Sequence, residues 1–273
     1  VMVRELITIP RPRGELGRRF DPTPTPGGDP TVFLRIKGEP ENVAASVSRL
    51  FLGVRLECAQ CHDHPFAKWQ QKDFWQFAAF FTTPSTLGRT VIPETKELVN
   101  ATYLTGEAAQ PGENQTYRDD IAAWLTSREN PYFAKATVNR LWYHFFGTGL
   151  VDPVDDFGEE NPASHPELLD ELAREFVAHD CDVKHIIRGI MASRTYQTTS
   201  RQTDKSQADP RLFAKMAIQG LTTDQLFDSL AEATGYFESN AERDVRLIGN
   251  DSERAKFREL FRNEVGGPVD AEA

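Results

Sequence analysis

At 273 residues and 39% hydrophobic content, the chain carries enough apolar material for two ordinary domains and is not a disordered polymer. A net charge of -10 and a pI near 5.2 give a surface that repels phosphates, and no basic stripe with interleaved aromatics offsets it, which excludes nucleic acid as a partner. The longest apolar runs, residues 74–81 and 183–191, are interrupted by polar residues and fall far short of the roughly 20 residues of a membrane-spanning helix.

The chain opens on Val1 with no charged start and apolar run behind it, so a signal peptide is absent or lies outside this sequence; residues 1–9 read as the end of a helix or strand. Residues 11–30, crowded with Pro, Gly and Arg, predict a loop leading into a β-like run at 31–36. From Glu41 onward, Val43, Val47, Leu50, Phe51 and Val54 recur at three, four and seven, which predicts one amphipathic helix running straight into Cys58. A second helix is predicted over 72–81, where Phe74, Ala78 and Phe81 share a face flanked by Trp75; aromatics at helical spacing are read as core before they are read as cofactor lining. Residues 84–115 are rich in Thr, Pro, Gly and Asn, with short strands expected near 90–92 and 101–104. The domain boundary is placed there.

Beyond it the pattern is helical. Residues 117–125 form one predicted helix, and Asn130-Pro131 supplies an N-cap and a first-turn proline for another that reaches Phe146 and stops at Gly147. The acidic run at 149–162, with Asp152, Asp155, Asp156, Glu159 and Glu160, does not match the EF-hand spacing and is read as a solvated turn. Ser164 and Glu167 predict a capping box for a helix burying Leu168, Leu172 and Phe176; a helix from Asp182 to about Ala192 buries Val183, Ile186, Ile187 and Ile190. Thr222 and Gln225 form one more capping box, ahead of Leu226, Phe227 and Leu230, with Gly235 as the stop, and residues 266–273 read as a frayed or cut tail. The fold class is therefore mostly α: two helical domains, residues 1–84 and 116–273, joined by an irregular Pro/Gly/Thr-rich linker, 85–115, with at most short strands.

Three cysteines are too few, and oddly numbered, for a disulfide framework, and Cys181 is expected to be a free, partly buried thiol. The close pair Cys58 and Cys61, followed by His62, has the spacing that attaches c-type haem: two thiols form thioethers with the vinyl groups and the adjacent imidazole reaches the iron. Candidate sixth ligands are Met191, Met216, His144, His165 and His185. The companion residues Asp63, His64 and Pro65 are not needed for attachment. On an extended turn braced by Pro65, Cys58, Cys61, His62 and His64 could instead converge on one zinc or iron ion, whose sulfur and nitrogen preferences they meet. A disulfide between Cys58 and Cys61, or a pair of free thiols, is the remaining alternative.

The run from Phe51 through Cys58-Ala-Gln-Cys-His-Asp-His-Pro to Phe81 resembles the planctomycete cytochrome-associated domain of unknown function numbered fifteen forty-nine. The runs from Asn130 through Asn139-Arg-Leu-Trp-Tyr-His to Val151, Asp155-Asp156-Phe157, Ser164-His165-Pro166 and Ser193-Arg-Thr-Tyr resemble its usual partner, numbered fifteen fifty-three. Together these cover nearly the whole chain. The resemblance implies an exported protein, periplasmic or extracellular, in a chain that begins inside the first domain and ends before the second is complete. It supplies no reaction. The polar positions it carries over are Asn139, Arg140, Trp142, His144, Asp155, Asp156 and His165, and Arg140 is expected to pair with Asp155 or Asp156 and pin the acidic loop.

The preferred reading is an exported protein holding haem c, or another metal, at Cys58, Cys61 and His62, and exchanging electrons with an unknown redox partner protein. A second reading is a metal-dependent hydrolase or oxidase acting on extracellular polymers, with His62, His64 and His144 or His165 as ligands. A third is a non-catalytic envelope scaffold whose cysteine cluster staples a loop.

Overall fold

A computed structural model describes residues 2–8, 38–218, 220–236 and 253–261. The predicted loop at 11–30, the β-like run at 31–36 and the tail at 266–273 lie outside the described residues. Among those described, nine α-helices and a single two-stranded sheet make the protein mostly α, and no helix is long and apolar enough to cross a membrane.

The first elements are α1 (Met2–Thr8) and α2 (Pro40–Val47), the latter with proline in its first turn and Val43, Ala44 and Val47 buried. The predicted run into Cys58 is interrupted. After Val47 the chain widens into a π-helical turn, Ser48–Leu52, and stops at Gly53, whose φ of 69° is left-handed. A Cβ there would also sit 2.6 Å from the Phe157 ring, so both backbone and packing call for glycine. Residues 53–56 then lead to a separate 3₁₀ turn, Glu57–Gln60, which carries Cys58.

Helix α3 (Gln71–Ala78) continues into a 3₁₀ turn, Ala79–Phe81, close to the predicted 72–81. Phe74, Trp75, Phe77, Phe80 and Phe81 are all buried, which makes this aromatic wall core. Strands β1 (Arg89–Val91) and β2 (Leu98–Asn100) pair antiparallel, Thr90 opposite Val99; the second lies three residues earlier than its β-branched and aromatic composition suggested. Ile92, Val99, Ala101 and Leu104 carry the 85–115 segment into the core. Helix α4 (Tyr117–Leu125) follows as predicted, with the Thr116/Asp119 capping box at its start, and α1 packs against it.

The order continues with α5 (Phe133–Phe146), α6 (Pro166–Ala178) and α7 (Val183–Ala192). The N-cap of α5 is Tyr132, two residues later than expected; Asn130 serves the entry to the helix, its Oδ1 accepting from the amides of Tyr132 and Phe133 (both 2.9 Å), and Gly147 ends α5 in the left-handed region. The capping box predicted from Ser164 and Glu167 does not form. The N-cap of α6 is His165, followed by Pro166, and the Ser164 hydroxyl donates to the Leu150 carbonyl (3.2 Å) instead. Its buried stripe is Leu169, Ala173 and Phe176, with Leu168 and Leu172 only half-buried, because the face turned inward is chosen by packing against α5. In α7, Ile186 and Ile190 are buried while Val183 is exposed beside the Asp182 cap.

One hydrophobic cluster runs from Val3 to Phe213, and residues 2–8 and 38–216 form a single compact unit. The segment read as a linker, residues 85–115, contributes Ile92, Val99, Ala101 and Leu104 to this cluster. Across it, Phe80 stacks on Tyr103 (centroids 5.2 Å) and Tyr103 on Trp124 (5.0 Å). Residues 217–218, 220–236 and 253–261 belong to a second unit. In it, α8 (Thr223–Thr234), capped by Thr222 and Gln225 and ended by Gly235 as predicted, packs on α9 (Glu253–Leu260) through Phe227 and Phe257.

Candidate functional site

The Cys58–Pro65 segment is a backbone held from behind with its reactive side chains facing out. Leu56 and Ala59 are fully buried, and the Ala59 amide donates to the Leu56 carbonyl (2.9 Å), so the turn is anchored in the core. From α3, the Trp75 indole N–H donates to the Gln60 carbonyl (3.0 Å) and the Gln71 side chain donates to the Cys61 carbonyl (2.9 Å). Cys58, Cys61 and His62 are exposed, and the two thiols are unbonded.

The three residues left over by the attachment spacing have structural work in this loop. Asp63 Oδ1 accepts the Gln71 amide (2.9 Å), satisfying a donor at the start of α3 that would otherwise have no partner. The His64 amide donates to the Trp69 carbonyl (2.8 Å), and its ring Nδ1 accepts from the amides of Phe66 (3.2 Å) and Ala67 (2.9 Å). An Nδ1 that accepts two N–H groups is unprotonated, so the ring proton sits on Nε2 and both nitrogens are committed in this tautomer. His62 is set the opposite way. Its Nδ1 lies 2.7 Å from the Asp63 carbonyl oxygen, which can only accept; Nδ1 is therefore the donor, and Nε2 keeps an available lone pair.

The other sequence candidates are scattered. His144 is exposed on α5, its ring edge-on to Phe145. His165 is half-buried, with Nδ1 3.1 Å from the Ser164 hydroxyl and its ring 5.7 Å from that of Phe213. Met191 is 45% exposed, and Met216 packs on the core. Among the described residues, no three ligand atoms drawn from Cys58, Cys61, His62, His64, His144 and His165 gather within 4.8 Å of one another. The group that does gather is Glu175, His179 and His185. Only His185 of these drew notice in the sequence. The pattern Glu-x3-His-x5-His, one helical turn and then a short loop, was the available signal.

Two of the polar positions carried over by the resemblance act in packing. Asn139, fully buried, donates from Nδ2 to the Val151 carbonyl (2.8 Å) and accepts the Val151 amide on Oδ1 (3.0 Å). Arg140 does not pair with Asp155: its guanidinium donates to the Arg49 carbonyl (2.8 Å). Asp155 is held instead by Arg49 and by Arg55, whose Nη2 is 2.7 Å away, because the Gly53 turn brings both arginines over the acidic loop. Asp155, Arg49, Arg140, Glu57 and Leu50 line a cavity of about 580 Å³ beginning one residue before Cys58.

Burial by itself would raise the Asp155 pKa, but hydrogen bonds from Arg55 and Arg49 outweigh it and hold the carboxylate below its ordinary value. A depressed carboxylate stabilises the fold fully above its unfolded pKa of about 3.9, and that contribution is lost as pH falls through the lower folded value. Asp155→Asn is therefore expected to cost about 2 kcal/mol at pH 7, between the exposed and buried limits for ion pairs. The difference from the parent protein shrinks as the pH is lowered below about 4. Urea midpoints measured from pH 7 to pH 2 check this; a gap that stays constant with pH would mean the two guanidinium groups contribute nothing specific.

Comparison with known families places the site in context. Residues 33–86 match the PSCyt2 model, a protein of unknown function (DUF1549). Residues 117–260, more than half of the chain, match the PSD1 model, a protein of unknown function (DUF1553). The chain belongs to the PSD1 family. The two matches stand in the order expected for the planctomycete cytochrome-associated pair, and the Cys58–Pro65 segment falls wholly in the PSCyt2 part. In this PSD1 chain, Asn139, Arg140, Asp155 and the Glu175–His185 group all fall in the PSD1 part. Neither a curated protein nor a solved structure matches the chain.

Proposed function

We propose that this PSD1 chain is an exported haem c protein that passes electrons to a redox partner, with Cys58 and Cys61 as the covalent anchors and His62 as the axial ligand. The observation that carries the reading is the His62 ring. Its Nδ1–H, directed at the Asp63 carbonyl, fixes the tautomer and leaves Nε2 for a metal, the arrangement in which an outer hydrogen bond orients a ligating imidazole. Beside it stand two exposed, unbonded thiols on one short turn, and Phe66, 78% exposed four residues on, offers apolar surface. Haem bound there supplies a one-electron change at iron. The chain's own part is to hold the turn rigid through Trp75 and Gln71 and to set the imidazole. Periplasmic or extracellular location goes with this proposal.

The small-ion alternative at the same place has less behind it, because His64 spends its ring on the Phe66 and Ala67 amides. Expression of the full chain with export and a haem-attachment system separates the readings. A Soret band and a haem-sized mass increment that survives denaturation are expected, and Cys58→Ala with Cys61→Ala should abolish both. His62→Ala should keep the covalent mass while changing the spectrum. Stoichiometric zinc or iron without pigment would overturn the haem reading in favour of an ion site, and the absence of both would leave a thiol pair in a scaffold.

A further inference from the structure

The loop between α6 and α7 brings together three side chains that the haem reading does not use. Glu175 and His179 are one turn apart at the end of α6, on the same face, and His185 lies in the first turn of α7. The connection is tight. Asp180 and Cys181 both take left-handed φ values, 53° and 60°, while the Cys181 amide donates to the Phe176 carbonyl (2.9 Å) and the Asp182 amide to the His179 carbonyl (3.0 Å). This reversal lays the His185 ring on the His179 ring, centroids 3.6 Å apart and planes 14° from parallel. Glu175 Oε2 lies 3.5 Å from His179 Nδ1 and 3.8 Å from His185 Nε2, and the three ligand atoms are all within 4.8 Å of one another.

These separations are close to those of a small metal centre. Zinc–nitrogen and zinc–oxygen bonds of about 2.0–2.1 Å in a tetrahedron put neighbouring ligand atoms roughly 3.3 Å apart; Glu175 Oε2 stands near that distance from both imidazoles, and the two stacked rings must turn out of their stack so that their in-plane lone pairs meet at one ion. We propose that Glu175, His179 and His185 bind a divalent transition-metal ion of the zinc class, with a fourth position open to water or a ligand. Two imidazoles and a carboxylate satisfy that class, and hard oxygen-seeking cations such as calcium are disfavoured by the nitrogen donors. His179 is exposed, which gives the ion a path in and keeps the fourth position toward solvent. His179 Nδ1–H faces the Glu175 carbonyl oxygen at 3.0 Å; ligation through Nδ1 uses the other neutral tautomer, with the ring turned off that carbonyl and its proton moved through solvent to Nε2. Cys181, a partly buried thiol packed on the core with its pKa pushed up by burial, is not one of the ligands.

The site is independent of the cysteine motif, and its test removes that motif from the measurement. Full-length protein carrying Cys58→Ser and Cys61→Ser, stripped with chelator, is titrated with zinc by calorimetry and with cobalt by visible absorption. One equivalent is expected to bind, with cobalt bands of a four-coordinate nitrogen–oxygen site and a raised melting temperature. His179→Ala, His185→Ala and the shape-preserving Glu175→Gln should each weaken binding at least 100-fold, more than loss of an outer-shell partner does, while leaving the circular dichroism of the metal-free protein unchanged. No uptake, or uptake that these substitutions do not change, would overturn the proposal.

Discussion

Asn139→Ala is expected to lower the stability of the folded protein by about 3 kcal/mol, since the two Val151 backbone groups it serves each cost roughly 1–3 kcal/mol when left buried without a partner. Asn139 has no exposed surface, and its single amide closes both the N–H and the C=O of Val151, the residue at the root of the acidic loop. Water cannot replace it without opening the contact between α5 and that loop. Asn139→Asp provides the sharper comparison: it keeps the acceptor for the Val151 amide but sets a carboxylate against the Val151 carbonyl, so it should be at least as destabilising although it is nearly isosteric. Urea denaturation followed by circular dichroism measures both. If the aspartate variant matched the parent protein, the pairing with Val151 would not be what holds the loop.

Phe80→Ala should cost about 3–5 kcal/mol, the range for removing a buried phenylalanine, and should lower the stability of both family segments at once. Phe80 belongs to the PSCyt2 match, Trp124 to the PSD1 match, and Tyr103 is stacked between them. The Tyr103 hydroxyl donates to Asp120 on α4 (2.6 Å), and burial followed by that bond raises its pKa, so the phenol stays protonated and fixed at all ordinary pH values. Removing the ring of Phe80 opens one end of this stack. The four tryptophans give a local readout, Trp69 and Trp75 in the first segment and Trp124 and Trp142 in the second. Single-tryptophan variants should report one shared transition whose midpoint falls together when Phe80 is truncated. Separate midpoints, with Trp124 unaffected, would show that the segments fold as independent domains.

Helices 117–125 and 183–192 and the stop signals at Gly147 and Gly235 were legible because they depend on interactions within a few residues: capping side chains, apolar spacing and the left-handed tolerance of glycine. The Cys58-x-x-Cys61-His62 spacing was legible for the same reason. The predicted helix into Cys58 failed where a distant residue intervened, since Phe157 and the left-handed Gly53 end the helix before the motif. The Ser164/Glu167 box did not form where Ser164 is tied by both its amide (2.7 Å) and its hydroxyl (3.2 Å) to the Leu150 carbonyl, fourteen residues back, and the helix takes His165 as its N-cap. In each case a long-range contact outbid a local preference of about 1 kcal/mol.

The sequence by itself determined that this chain is mostly helical and sets Cys58, Cys61 and His62 at close spacing, since helical periodicity and residue spacing are properties of neighbours along the chain. Only the tertiary structure decided how the imidazoles divide their labour. His62 faces outward with Nε2 available, His64 is consumed by the Phe66 and Ala67 amides, and His179 and His185 meet over Glu175, because ring orientation is set by hydrogen bonds and by the Asp180–Cys181 reversal. Those partners are chosen by three-dimensional packing; the spacing Glu-x3-His-x5-His pointed to one of these groups but did not fix how its rings lie.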